Sequence, residues 1–291
     1  MALQEKLRKG KFVVLGEFEP PKGADFSNLM ENAGLVRGRV DAIVVPEMAN
    51  AVLKASSLGA SAFLLNHGIE PVFQVSCRDR NRLALQADLL SAGALGIKNV
   101  MAVSGADITY GDHPQTRVVN DLSHLELVET INRLQEGKDL AGIELRGVPR
   151  FCVGTTIDTG ASGGLFNIEL ENLEKQLELG VDFVVTRPVF DLHRFQQILK
   201  RMETGKVPLI PTVLVLKSAG MARYIDRNIR GLSVPSEMIS SIQKAPDRIQ
   251  ECIRIAADLI TRLKEMGLAG ILVSTMGWED KLPQILDEAK L

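Results

Sequence analysis

Two glutamates, Glu17 and Glu19, stand one residue apart in "KFVVLGEFEPPKG", where an apolar run meets Pro20-Pro21. Residues two apart on a strand share a face. If Val13 and Leu15 face a core, Glu17 lies in its top layer and Glu19 at the mouth above it. A carboxyl with apolar residues beneath it and little water loses more by ionising than an exposed one. Its pKa rises, and it can hold a proton to donate near neutral pH. The competing reading is a rim ion pair with a nearby Arg or Lys, and the residue types leave both open.

Other apolar runs also end in polar groups. "FQVSC" puts Gln74 and Ser76 on one face, and "VSGADITYGDHPQ" offers Gly105, Asp107, Gly111 and Asp112. "TTIDTGASGG" carries Gly160, Gly163 and Gly164, "VTRPVFD" carries Arg187, and two further runs end in "LKSAG" and "STMGW". Two glycine-rich loops in succession let backbone N–H groups approach a phosphate-bearing or flat aromatic ligand closely. No metal-ligand spacing occurs. His67, His113, His124 and His193 are isolated and read as surface or satisfied core histidines. Cys77, Cys152 and Cys252 lie far apart without a CxxC pair, which fits a reducing cytoplasm and core packing rather than a cluster or zinc site.

The elements that must position these groups alternate from end to end. Eight Val/Ile/Leu-rich runs read as strands covered on both faces: 12–18, 42–46, 71–77, 99–103, 151–156, 183–186, 209–214 and 270–274. Between them lie helical patterns with recognisable ends. Asp121 is expected to cap a helix bearing Leu127, Ile131 and Leu134 that stops at Gly137. Leu170, Leu173 and Leu177 line another that stops at Gly180. Pro246 is expected in the first turn of a long helix bearing Ile249, Cys252, Ile253, Ala256, Ile260 and Leu263, closed by Gly267. An extra short helix is expected near 231–243. Eight strand–helix repeats predict a single (β/α)8 TIM barrel over 1–291, with a doubly wound sheet as runner-up. The barrel is preferred because no run leads into GxGxxG and the polar groups gather at strand C-termini.

The 291 residues are 45% hydrophobic and 24% charged with a net charge of −2, so no basic field favours nucleic acid. No apolar run approaches the roughly 18 residues of a membrane span and no secretory leader is evident, which predicts a cytoplasmic protein. Arg78-Asp79-Arg80 reads as a solvated charged face.

The collinear set "GEFEPPKG", "VSCRDRNRLALQADLLSAGALGIKNVMAVSG", "GDHPQ", "LEKQLELGVDFVVTRPVFD", "PLIPTVLVLKS" and "IRGLSVPSEM" resembles the methylenetetrahydrofolate reductase family over nearly the whole chain. The resemblance implies a flavin-bound barrel, with FAD or FMN, that reduces 5,10-methylenetetrahydrofolate to 5-methyltetrahydrofolate in one-carbon metabolism, feeding methionine biosynthesis. Electrons would come from NAD(P)H or an electron-donating partner subunit, and the chain would act as an oligomer or within a complex. The glutamate of the family's E-F-x-P-P element is its general acid, here Glu17. The flavin contacts implied are Gln74, Ser104, Gly105, Asp107, Gly154, Thr155, Asn172 and Lys175, and the substrate contacts Glu17, Arg187 and Phe190.

The pattern also departs from the family. Ser104-Gly105-Ala106 replaces R-G-D or T-G-D, leaving Asp107 one place late. Gln74 replaces a histidine, Pro46 a threonine, Gln176 a lysine and Arg187 a glutamine. A cation about 5 Å from a developing iminium costs roughly 3 kcal/mol at an effective dielectric of 20, about two orders of magnitude in rate. Arg187 therefore needs an anion: Glu17, Asp107 or a ligand carboxylate. Two further readings fit the substitutions. One is a flavin-free folate-binding or assembly subunit, and the other a different pterin-handling barrel such as a methyltransferase or lyase.

Overall fold

A computed structural model describes residues 2–202 and 207–291. It contains eight parallel strands that close on themselves in chain order. They are β1 (Val13–Glu17), β2 (Ala42–Val45), β3 (Pro71–Ser76), β4 (Asn99–Val103), β5 (Cys152–Ile157), β6 (Phe183–Pro188), β7 (Leu209–Leu214) and β8 (Gly270–Ser274). The expected runs match these within one or two residues. The (β/α)8 barrel is therefore the fold, and the doubly wound alternative is excluded by closure.

Helices α1 (Leu3–Arg8), α2 (Ser27–Leu35), α3 (Ser57–Asn66), α4 (Arg82–Ala94), α5 (His124–Gln135), α6 (Gly164–Glu178), α7 (Leu192–Arg201), α8 (Ala219–Asn228), α9 (Ser236–Lys244), α10 (Arg248–Glu265) and α11 (Leu282–Glu288) complete the described elements. None is long and apolar enough to cross a membrane. The extra helix expected before the last long one is α9.

Strand alternation divides the core in two. Val13, Leu15, Val44, Val72, Met101, Phe183, Val185, Ile210 and Leu272 fill the barrel interior, while Val14, Ile43, Phe73, Val100 and Val273 face the helices. Leu3 and Leu7 of α1 join the interior cluster, so the polar-looking opening segment forms a plug against the strand N-termini. Gly154 belongs to the interior face. A Cβ placed there would stand 2.3 Å from the Phe183 ring, so the glycine makes room for an aromatic that fills the barrel. Gly154 is thus placed for packing, beside the Phe183 ring.

Two helix starts differ from expectation. α5 is capped by Ser123, whose hydroxyl accepts from Glu126 N–H while Glu126 accepts from Ser123 N–H. Asp121 instead accepts from the backbone and guanidinium of Arg82. At α10 the cap is Asp247, so Pro246 precedes the helix rather than entering it, and Ile249 is 50% exposed.

The Gly154–Phe183 contact generates a stability prediction. Gly154→Ala should destabilise the barrel by about 1–3 kcal/mol, the usual scale for overpacking, and adding Phe183→Leu should recover much of the loss. Denaturant titration of the two variants checks this. An unperturbed single variant would show that the interior has room for a Cβ beside Phe183.

Candidate active site

Glu17 is the last residue of β1 and points inward, above Leu15 and level with Ser274 of β8 in the strand register. Barrel closure brings the first and last strands together, and the Ser274 hydroxyl donates to Glu17 Oε1 at 2.6 Å. Burial lifts the Glu17 carboxyl above its ordinary value. The Ser274 hydrogen bond opposes that rise, and the nearby charges of Glu19 and Glu279 add to it. Limited solvent access remains at the mouth. Glu17 is thus a carboxylic acid predisposed to keep its proton. Glu19, above it, forms a rim ion pair with Lys54 at 3.0 Å. The two readings open for the pair are divided between its members.

Around the mouth, Gln74 and Ser76 of β3 share the inward parity of Val72. Gln74 Oε1 accepts from the Glu47 N–H at 3.0 Å, so its carbonyl is already used to hold the end of β2. Arg187, at the end of β6, donates to Asp158 Oδ1 at 3.1 Å and to the Arg230 carbonyl at 2.9 Å. Its anion is therefore Asp158, correcting the expectation of Glu17, Asp107 or a ligand carboxylate. The pairing leaves Glu17 outside the pull of that cation.

Three loops are tied together beside the mouth. Lys22 pairs with Asp112, which also accepts from the Leu53 N–H at 3.0 Å and from His113 Nδ1 at 2.8 Å. These bonds hold the Asp112 carboxyl well below the usual range. Gly111 lies so close to Ala51 that a Cβ would stand 1.9 Å from its carbonyl oxygen. Arg78 is buried and donates to Asp79 at 2.6 and 2.7 Å and to the Ala106 carbonyl at 3.0 Å. Arg80 reaches the buried Glu47 carboxylate at 2.9 Å, and Glu47 also accepts from the Ser57 N–H. The Arg78-Asp79-Arg80 run is an interior fastening, not a solvated face, because three loop ends converge on it.

A cleft of about 310 Å³ opens between the β1–α2 loop, α2 and the β8–α11 loop. A second, of about 260 Å³, shares Glu19, Pro20, Lys54 and Met276 with it and continues towards Pro46 and Met48. Both lie on the strand C-terminal side, where barrels of this kind carry their chemistry.

Comparison with known proteins places this geometry. The family model "Methylenetetrahydrofolate reductase" matches residues 2–290. The chain belongs to the methylenetetrahydrofolate reductase family. Methylenetetrahydrofolate reductase 2 of Schizosaccharomyces pombe is 23% identical over 189 residues, covering 62% of this chain and 29% of that protein. The match thus spans less than a third of the curated relative's length. Among solved structures, an uncharacterized protein from Clostridium thermocellum that binds two copies of 5-methyl-5,6,7,8-tetrahydrofolic acid superposes with a TM-score of 0.69 at 12% identity, covering 100% of this chain and 98% of that one. DmoA from Hyphomicrobium sulfonivorans gives 0.56 at 13%, covering 96% and 88%. At these identities both likenesses concern the fold.

The family's flavin positions are not gathered into one pocket. Gln74 and Gly105 lie at the mouth, with Ser104 exposed beside them, but the space a side chain would need at Gly105 is filled by Ser76 and Arg78. Asp107 is exposed and accepts from Thr109 N–H and Oγ1, which caps a 3₁₀ turn and lowers its pKa. Thr155 faces outward, donating to Gln176 at 2.9 Å beside His124. Gln176 is therefore buried between α6 and β5, whereas Asn172 is half-buried and Lys175 exposed on the same outer helix. Phe190 is buried in the outer apolar layer. As a set these residues do not fit a flavin held in the expected way.

Sequence reading missed Ser274, Asp158, Glu47 and Glu279. For Ser274 a usable signal existed, because inward parity from Gly270 and Leu272 leads to it.

The environment of Glu17 implies a pH-dependent stability effect. Between its ordinary and its raised pKa the folded protein holds a proton that the unfolded chain has released. Stability therefore falls as pH rises through that window, and the loss persists above it. Glu17→Gln removes the loss. Its Tm should exceed that of the wild type near pH 7, with the difference vanishing near pH 4, where both states are protonated. Equal Tm values across the range would place the carboxyl in water.

Proposed function

We propose that this chain binds a reduced folate across the mouth of its barrel and serves the reduction of 5,10-methylenetetrahydrofolate to 5-methyltetrahydrofolate, with Glu17 as proton donor. The observation that carries the proposal is a desolvated carboxyl at the C-terminal end of β1, oriented by Ser274. Family membership supports the substrate class. A barrel of similar fold that binds 5-methyl-5,6,7,8-tetrahydrofolic acid supports the ligand.

The chemistry requires such an acid. The methylene carbon of the substrate bridges two nitrogens in a five-membered ring, and it accepts hydride only after one C–N bond breaks to give an iminium cation. Protonating the departing nitrogen makes that bond breakable. Glu17 holds the proton, and Ser274 fixes the carboxyl's orientation. Leu15 and Leu272 beneath it, with Val44 level with it, keep the floor of the site dry. Once the proton has moved, the Glu17 carboxylate lies near the iminium charge and stabilises it. The Arg187 charge, already matched by Asp158, interferes less than an unpaired cation would.

A second reading is favoured by one specific observation. The positions expected to hold a flavin are committed to the chain's own bonds, with Thr155 on Gln176 and Asp107 on Thr109. A folate-binding subunit whose reductant, NAD(P)H or a redox partner, is bound by another chain accommodates this.

Two measurements separate the readings. Glu17→Gln should lower methylenetetrahydrofolate reduction by about 10²-fold or more, the scale of a lost general acid, while folate binding persists. Unchanged turnover would remove Glu17 from the mechanism. The absorption spectrum of the purified protein decides the cofactor. A flavin band supports the self-contained reductase, and a colourless, folate-binding protein supports the subunit.

A further inference from the structure

The cleft between β1, α2 and the β8–α11 loop has a composition that selects its ligand. Phe18 and Leu29 are buried in its walls, and Met276 is 38% exposed at its edge. Met276 adopts a left-handed backbone with φ 49°. That conformation is uncommon for a long side chain. It is maintained by Lys217, which donates to the Met276 carbonyl at 2.6 Å, and by Glu279, which accepts from the Gly277 N–H at 2.9 Å. Met276 thus stands at the edge of the cleft, with Leu29 in its wall.

The polar lining is rich in acceptors. Asn32, only 9% exposed, spends its amide N–H on Asn28 Oδ1 at 3.3 Å. Its carbonyl oxygen remains as an acceptor lining the cleft. Glu279 uses Oε1 on Gly277 and has Oε2 left, while Glu19 is matched by Lys54. α2 packs against the 3₁₀ turn Glu279–Lys281, so Asn32 and Glu279 border the same space. A phosphate or carboxylate entering here would meet two carboxylates against one paired lysine. A planar ring edge presenting two adjacent N–H donors would instead find a carboxylate and an amide oxygen.

We propose that this cleft is a subsite for the 2-amino-pyrimidinone edge of a reduced pterin, read by Glu279 and Asn32 and walled by Leu29 and Met276. The inference rests on the folate reading above and extends it, since none of these four residues was expected from the sequence to touch substrate. With the amino edge in the cleft, the opposite end of the bicycle, which carries the reacting nitrogens, is directed towards Glu17. Glu279 lies close enough to Glu17 for its charge to act there. The substitutions at Ala106 and Arg187 are then consistent with a pterin that is recognised from the β8–β1 side of the mouth.

Calorimetric titration of the full chain tests this, with tetrahydrofolate and its 2-desamino-2-methyl analogue as probes. Glu279→Gln and Asn32→Leu should each weaken tetrahydrofolate by about 10-fold or more, the scale of a lost charge-assisted or buried hydrogen bond. The analogue, lacking the amino group, should bind wild type more weakly and be far less affected by Glu279→Gln. Should Asn32→Leu fail to fold, the half-buried Glu279→Gln decides alone. If wild type binds tetrahydrofolate and both folded variants bind it equally well, the subsite is overturned while the folate reading stands. If wild type binds no tetrahydrofolate, both are overturned.

Discussion

The arrangement turns on a conflict between a carboxylate and the place where the fold puts it. Closing eight strands forces the last inward side chain of β1 into a layer floored by Leu15 and Leu272. Water, the best partner of an ionised carboxylate, is scarce there. Two further acids, Glu19 and Glu279, stand nearby and make ionisation harder, and the single opposing contribution is the Ser274 hydroxyl. A residue placed only for stability would have been given a cation. Here Lys54 is spent on Glu19, and Arg78 and Arg80 are spent on Asp79 and Glu47. The barrel thus accepts a local destabilisation, which the proposed proton transfer would use.

Arg187 illustrates how a disruptive residue is absorbed. An unpaired guanidinium at the end of β6 would raise the energy of any positive charge forming in the mouth. Asp158, from the loop after β5, and the Arg230 carbonyl draw it to one side. That clasp needs the two loops in near contact. Gly160 and Gly231 permit this, since a Cβ on Gly231 would stand 2.5 Å from the Gly160 carbonyl oxygen. Gly160, read from sequence as a ligand-approach residue, is in part the fitting that lets an arginine be neutralised.

The strands were legible because a strand covered on both faces is written as a short unbroken apolar run, and all eight are of that kind. Glu17 was legible for a related reason, since the two-residue period carries from Val13 through Leu15. What was hidden depends on closure or on contacts between loops. Ser274 meets Glu17 only because β8 pairs with β1, across 257 residues of sequence. Arg78 looked solvated because its neighbours in sequence are charged, whereas its neighbours in space are the carbonyls of Met48 and Ala106. Strand parity also shows that Gly154 and Thr155, adjacent on β5, face opposite ways. Likewise, Glu126 lies three residues after Ser123, a pairing that marks Ser123 rather than Asp121 as the helix start.

These observations separate the mouth into two sides of different character. On the β3–β6 side the polar groups are bonded to one another: Gln74 to Glu47, Arg187 to Asp158, Asp112 to Lys22 and Leu53. A ligand arriving there must displace bonds already made, each of which leaves a group to be satisfied again. On the β8–β1 side, Glu17, Glu279 and Asn32 keep acceptor capacity beside an open cleft. Binding on that side adds hydrogen bonds without first breaking any. The family's acid belongs to the side that remains free to bind, and its expected flavin contacts fall largely on the side that does not. Under the proposed function, proton donation and folate recognition therefore form one unit, carried by the first and last strands.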